Sequence, residues 1–322
     1  MTGTTGLIIG KFLPFHKGHQ YLIDYALSRV DFLTIIVGTL KREPISGPLR
    51  VDWVRKTYPQ ANVVHCDDEN PQYPEEHPAF WDIWIRSIRK RCPTGPDYVF
   101  SSEDYGDELA RRLGAKHILC DKERGAVPVS GTAIRSNPYA YWNFLPPPVK
   151  AYYVKRVVIT GPESTGKTVL AQKLAEHFRT LWVPEYGRQY VEALDRSLRR
   201  EDFLRIAEGQ QLLEDTLAQQ AEKLLLCDTD LMVTRFFSEV FTGYCDPAII
   251  RMEAERRYDL HIVLDTDVPY FKEPQRNHAH LRETFKQKFI EELRQRHWPH
   301  ILIGGPWEER MTRSIKAIEE LF

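Results

Sequence analysis

Val157-Val158-Ile159-Thr160-Gly161-Pro162-Glu163-Ser164-Thr165-Gly166-Lys167-Thr168 runs an apolar stretch directly into the pattern GxxxxGK[ST], with every fixed position filled. A strand over 156–160 and a helix over 167–178 are predicted on either side, the context in which this pattern cradles phosphate. Glycines let backbone N–H groups turn inward around the β- and γ-phosphates, at the positive end of the new helix. Lys167 adds a point charge on the transferring phosphate, and Thr168 offers a hydroxyl to Mg²⁺. Gly161, Ser164, Thr165, Gly166, Lys167 and Thr168 are therefore the expected ATP contacts. The chemistry is phosphoryl transfer to or from ATP.

Phosphorylating an alcohol calls for a carboxylate near this loop, because a hydroxyl is a poor nucleophile at neutral pH. In open α/β sheets such groups sit at the carboxyl ends of strands. Asp228 follows Leu224-Leu225-Leu226-Cys227 in the position of a metal-linked acid, Asp230 lies just beyond, and Glu185 ends Leu181-Trp182-Val183-Pro184. Which of them is the base stays open. Downstream, Asp265-Thr266-Asp267-Val268-Pro269-Tyr270-Phe271 leads into a segment holding Arg276 and Arg282. These arginines are candidates for a lid that neutralises charge on the γ-phosphate. Further strands are expected at 181–184, 223–227, 260–264 and 300–303, with long charged helices near 201–222 and 281–297.

Upstream, a second α/β pattern precedes the first. Leu7-Ile8-Ile9 leads into Gly10-Lys11-Phe12-Leu13-Pro14-Phe15-His16-Lys17-Gly18-His19. His19, Leu22, Ile23, Ala26, Leu27 and Val30 then follow helical spacing, and Phe32 to Gly38 reads as a buried strand. Short strands are expected at 63–65, 98–100 and 117–120, with helices around 46–57, 77–91 and 103–113. Such alternation implies a doubly wound parallel sheet. Pro146-Pro147-Pro148 is the strongest linker signal, since consecutive prolines are excluded from helix and sheet interiors. The expected domains are 1–148 and 149–322. His16 and His19, beside Lys11 and a helix N-terminus, are expected to form a cationic pocket for phosphate. Their distant partner is Ser130-Gly131-Thr132-Ala133-Ile134-Arg135, where hydroxyls and an arginine open another helix.

The bulk properties exclude some classes. A formal net charge of −1 provides no global field toward nucleic acid or an anionic membrane. Five scattered cysteines show no metal-like spacing and fit reduced thiols. No apolar run reaches the ~18 residues of a membrane span, and the first residues lack a signal peptide pattern. The expectation is a cytoplasmic enzyme acting on small molecules, with a homo-oligomer left open.

The two N-terminal motifs resemble the HxGH nucleotidylyltransferase superfamily. Joined to a P-loop domain, and with Glu185-Tyr186-Gly187-Arg188 and Asp228-Thr229-Asp230, the chain resembles the NadR-type bifunctional nicotinamide-mononucleotide adenylyltransferase/ribosylnicotinamide kinases over nearly its whole length. The resemblance implies an α/β protein of two doubly wound parallel-sheet domains, an N-terminal Rossmann-like nucleotidylyltransferase and a C-terminal P-loop kinase. It implies that the second domain phosphorylates nicotinamide riboside and the first adenylates the product to NAD, with ATP and Mg²⁺ as cofactors. Lys11, His16, His19, Arg135, Lys167, Glu185 and Asp228 carry over as catalytic residues. Gly10, Phe12, Ser130 and Thr132 are the expected ATP contacts of the first site, Arg276 and Arg282 those of the second, and Thr168 and Asp228 the expected metal pair. Trp81, Trp84 and Tyr186 are expected substrate contacts, because aromatic faces attract a pyridinium cation, and the strand-end acid Asp230 is expected to contact substrate as well. Some members begin with a helix-turn-helix domain. Here the catalytic motif starts by residue 10, so no DNA-binding domain is expected. Two alternatives stay open: the same reactions on a different nucleoside pair, or a nucleotide-sensing regulator with one inactive site.

Overall fold

The computed structural model describes residues 3–270 and 282–322. The chain divides into two compact units, Met1–Val149 and Lys150–Phe322. In the first, β1 (Thr5–Gly10), α1 (Lys17–Leu27), β2 (Phe32–Gly38), α2 (Gly47–Thr57), β3 (Asn62–Cys66), α3 (Phe80–Arg91), β4 (Tyr98–Ser101), α4 (Tyr105–Leu113) and β5 (Lys116–Leu119) alternate. They are followed by α5 (Gly131–Ser136), and α6 (Pro147–Tyr153) begins in this unit and ends in the next. The five strands are parallel in the order β3-β2-β1-β4-β5, so β1 is central and the winding reverses between β1 and β4. Leu7, Ile36 and Val99 face α3 and α4, where Ile88, Leu109 and Ala110 close the core. On the other face Phe100 meets Tyr25 of α1, with ring centroids 6.5 Å apart. A Ser101–His117–Asp107 chain of hydrogen bonds, 2.9 and 2.7 Å long, ties β4, β5 and α4 together. Ser101 is buried in it, which makes the arrangement a brace rather than a nucleophile.

The proline run differs from the expected linker. Pro147 opens α6, because a missing N–H and a fixed φ suit the first helical turn, where amides have no intrahelical partner.

The second unit runs β6 (Lys155–Thr160), α7 (Lys167–Phe178), β7 (Leu181–Val183), α8 (Tyr186–Glu192), α9 (Arg200–Ala218) and β8 (Leu224–Asp228). It continues with α10 (Leu231–Thr242), α11 (Pro247–Glu255), β9 (Leu260–Leu264), α12 (Arg282–Gln295), β10 (His300–Ile303) and α13 (Trp307–Glu319). Its sheet is also parallel, in the order β10-β9-β6-β8-β7, with β6 central. Val157, Ile159, Leu226 and Ile262 pack with Leu170 and Leu174 of α7 and Ile318 of α13. Val263 points the other way, into Met232 and Phe236 of α10 and Phe285 and Phe289 of α12. Both sheets therefore present the carboxyl end of a central strand to a phosphate motif.

Candidate active sites

In the first unit, β1 ends at Gly10 and the chain turns through Lys11 to His16, which caps α1. The His16 Nδ1 accepts the Gly18 N–H at 3.1 Å, so the ring proton lies on Nε2. The His16 ring stacks on His19 at 3.8 Å, and Phe12 lies 4.8 Å from His19 on another side. Burial drives the His16 pKa down to about 4, helped by the charge of Arg124. Burial, then His16, then Arg124 hold His19 well below the ordinary imidazole value. Within the expected cationic pocket the two histidines therefore add no charge of their own. At neutral pH these rings are uncharged N–H donors, since ionising two stacked imidazoles would cost both solvation and mutual repulsion.

The positive charge of the pocket rests on its other members, Lys11 first. Lys11 Nζ sits 3.4 Å from Glu43, which also holds Arg50 Nη2 at 2.5 Å. Arg50, fully buried on α2, donates its Nη1 to the Lys11 carbonyl at 2.7 Å. Burial alone would raise the Glu43 carboxyl, but the Leu40 N–H and the Arg50 guanidinium hold it below its usual value. Sequence reading missed Glu43 and Arg50. The signal was a charge at Arg50 on the apolar face that Val51 and Val54 share.

The structure brings the two N-terminal motifs together at one atom. The Leu13 carbonyl accepts from Arg135 Nη1, and a Cβ on Gly131 would lie 2.5 Å from the same oxygen. Arg135 Nη2 donates to Thr132 Oγ1 at 3.2 Å, and Ser130 Oγ caps α5 by accepting the Ala133 N–H at 3.1 Å. These residues line a cavity of about 680 Å³ with Gly10, Lys11, Phe12, His16, His19, Trp81 and Trp84. Trp84 is fixed there by donating its Nε1–H to the Pro71 carbonyl at 2.8 Å, and both tryptophans also pack on the core. Tyr73 and Arg124 line the same cavity and were not read from the sequence.

In the second unit the loop after β6 is held by backbone shape. Gly161 has φ +140°, and a Cβ there would lie 2.9 Å from the Leu264 carbonyl. Ser164 and Gly166 also take positive φ, +58° and +91°, curling the N–H groups to one side. Thr165 Oγ1 and Lys167 Nζ both donate to the Pro162 carbonyl, at 2.9 and 3.0 Å. Thr168 Oγ1 donates to Asp228 Oδ2 at 2.5 Å, joining the first turn of α7 to the end of β8.

The other expected residues scatter around this centre. Glu185 ends the connection from β7 and precedes α8. Tyr186 donates its N–H to Gln210 at 2.9 Å and lays its ring on Gly209, where a Cβ would come within 2.1 Å. Asp230 departs from the expected substrate contact. It is buried, with Oδ1 capping α10 through the Val233 N–H at 3.1 Å and Oδ2 facing His261 Nε2 at 3.2 Å. Arg282 donates to the Val268 carbonyl at 3.2 and 3.3 Å, with its guanidinium 5.7 Å from the Tyr270 ring. Arg276 lies outside the described residues.

Along 99% of its length the chain is 30% identical to the trifunctional NAD biosynthesis/regulator protein NadR of Escherichia coli (strain K12), covering 83% of that protein. The chain belongs to the NadR family. Its likeness to NadR of Salmonella typhimurium is equal, 30% identity over 98% of this chain and 83% of that one. A solved structure of a NadR protein in complex with NR superposes with a TM-score of 0.81, covering 99% of this chain and 96% of the other at 22% identity. That match extends the shared fold over both NadR units. Residues 156–310 also match the family model of an AAA domain.

Proposed function

We propose that this NadR-family chain is a bifunctional enzyme of NAD biosynthesis. The second unit phosphorylates nicotinamide riboside with ATP, and the first joins nicotinamide mononucleotide to AMP from a second ATP. The observation that carries this reading is the placement of two different phosphate turns at the carboxyl ends of two central strands.

In the kinase step a ribose hydroxyl attacks the γ-phosphorus, the bond to the β-phosphate oxygen breaks, and ADP leaves. A carboxylate among Glu185 and Asp228 takes the hydroxyl proton. Lys167 and the loop N–H groups bear the developing charge. Thr168 and Asp228, 2.5 Å apart, supply the hard oxygen donors that Mg²⁺ prefers. Held there, Mg²⁺ would supply charge neutralisation to the terminal phosphates. In the adenylylation step a phosphate oxygen of the mononucleotide attacks the α-phosphorus, and pyrophosphate leaves. The nucleophile is already ionised, so no base is needed and catalysis is positioning with charge stabilisation. The His16 and His19 N–H groups, Lys11, Arg135 and the hydroxyls of Ser130 and Thr132 form that donor set, and Trp81 and Trp84 offer faces to the nicotinamide.

The five thiols form no disulfide, and no helix among the described residues is long and apolar enough to cross a membrane. A cytoplasmic site of action and small-molecule partners fit both facts. The test is NAD formation by the purified chain from nicotinamide riboside, ATP and Mg²⁺, with each half-reaction followed separately. Absence of turnover on both nicotinamide compounds would sink the proposal, and tight ATP binding without turnover would favour a sensor.

A further inference from the structure

Arg310 lies on α13, remote in sequence from the phosphate loop, and only 1% of it is exposed. Its guanidinium reaches three connections at the carboxyl edge of the second sheet. Nε donates to the Gly305 carbonyl, just past β10, at 2.9 Å. Nη1 donates to the Thr165 carbonyl in the phosphate loop at 3.3 Å, and Nη2 pairs with Asp267, just past β9. The second Asp267 oxygen accepts the Gly305 N–H at 2.5 Å. A planar trans peptide points its C=O and the following N–H in opposite directions. Holding the Thr165 carbonyl against Arg310 therefore holds the Gly166 N–H on the other side. Gly166, at φ +91°, has no side chain that could fix this peptide by packing.

We propose that Arg310 is a positioning residue of the phosphoryl-transfer site, setting the Thr165–Gly166 peptide with Asp267 so that its N–H meets the terminal phosphates of a nucleoside triphosphate. This rests on reading the second unit as a kinase. A guanidinium suits the task because its rigid planar fork reaches two carbonyls and a carboxylate in fixed directions, whereas an ammonium presents its three rotatable donors from a single point.

The test compares Arg310→Met, Arg310→Lys and Asp267→Asn in the full chain. For riboside phosphorylation, kcat/KM for ATP should fall about a hundredfold in Arg310→Met and roughly tenfold in the other two. The loss should persist when rates are expressed per folded molecule, with adenylylation of supplied mononucleotide unchanged. Lower melting temperatures with unaltered kcat and KM would reduce Arg310 to a packing element and overturn the proposal. If Arg310→Met does not fold, the other two variants decide by the same criterion. Calorimetric ATP–Mg²⁺ binding separates this question from the acceptor. The isotherm that Lys167→Ala abolishes should weaken about tenfold in Arg310→Lys, and an unchanged isotherm overturns the proposal. Failure of the wild type to phosphorylate nicotinamide riboside would instead refute the assigned substrate.

Discussion

Two imidazoles stacked 3.8 Å apart, His16 buried and His19 half-buried, resist protonation together, and this changes what the turn offers a phosphate. His16 should titrate with a midpoint of about 4 in the ligand-free protein, read by NMR of its ring protons. The folded value lies below the ordinary 6.5, so the unfolded chain takes up the proton first as pH falls. His16 thus contributes stability that is fully present above about 6.5 and is lost progressively down to about 4. That contribution is worth roughly 3 kcal/mol at most. His16→Asn should flatten the denaturation free energy against pH across that window, and an unchanged slope would contradict the assignment. The motif spacing in the sequence located both histidines. Their charge state was not legible there, because it depends on Phe12 and Arg124 being folded around them.

At the scale of elements, α5 and the turn after β1 meet so closely that side-chain size decides the fit. Gly131→Ala places a Cβ 2.5 Å from the Leu13 carbonyl and must push the helix start away. Adenylylation should drop on the order of tenfold or more, because displacing the donors by a fraction of an ångström spoils alignment with the α-phosphate. Far-UV dichroism should stay native and riboside phosphorylation should be retained. Retained adenylylation would show that the two motifs tolerate separation.

The legible elements were those with dense apolar runs. β2 and β9 appear at 32–38 and 260–264, as the sequence predicts, since both are dominated by apolar side chains, among them the β-branched Ile35, Ile36, Val37, Ile262 and Val263. α13 escaped because its buried positions are Arg310, Ser314 and Ile318, helically spaced but mostly polar. α10 escaped for the opposite reason, with Leu231, Met232, Val233, Thr234, Arg235, Phe236 and Ser238 buried nearly all round. Asp230, read as a site acid, is that helix's cap, and a local signal of this kind fits either role. The proline rule failed at Pro147 because it describes helix interiors and not first turns.

For the whole molecule, the division at Val149 and Lys150 implies separable chemistries. Lys167→Ala should lower riboside phosphorylation by on the order of a hundredfold or more and leave adenylylation of supplied mononucleotide intact. His19→Ala should do the reverse. If either substitution stopped both reactions in a folded protein, the two sites would not be independent.

The central positions of β1 and β6 also have a kinetic meaning. Each is laddered on both sides, β1 by β2 and β4, and β6 by β8 and β9, whereas β3, β5, β7 and β10 are edges. Local opening begins where fewest neighbours must separate, so edge-strand amides should exchange with deuterium first and those of β1 and β6 last. Each phosphate turn is thus anchored to the strand whose release requires the sheet itself to come apart. Mild heat or denaturant should then loosen the margins of each unit well before it erases the turn. Partial unfolding would cost the substrate walls first and the grip on phosphate last.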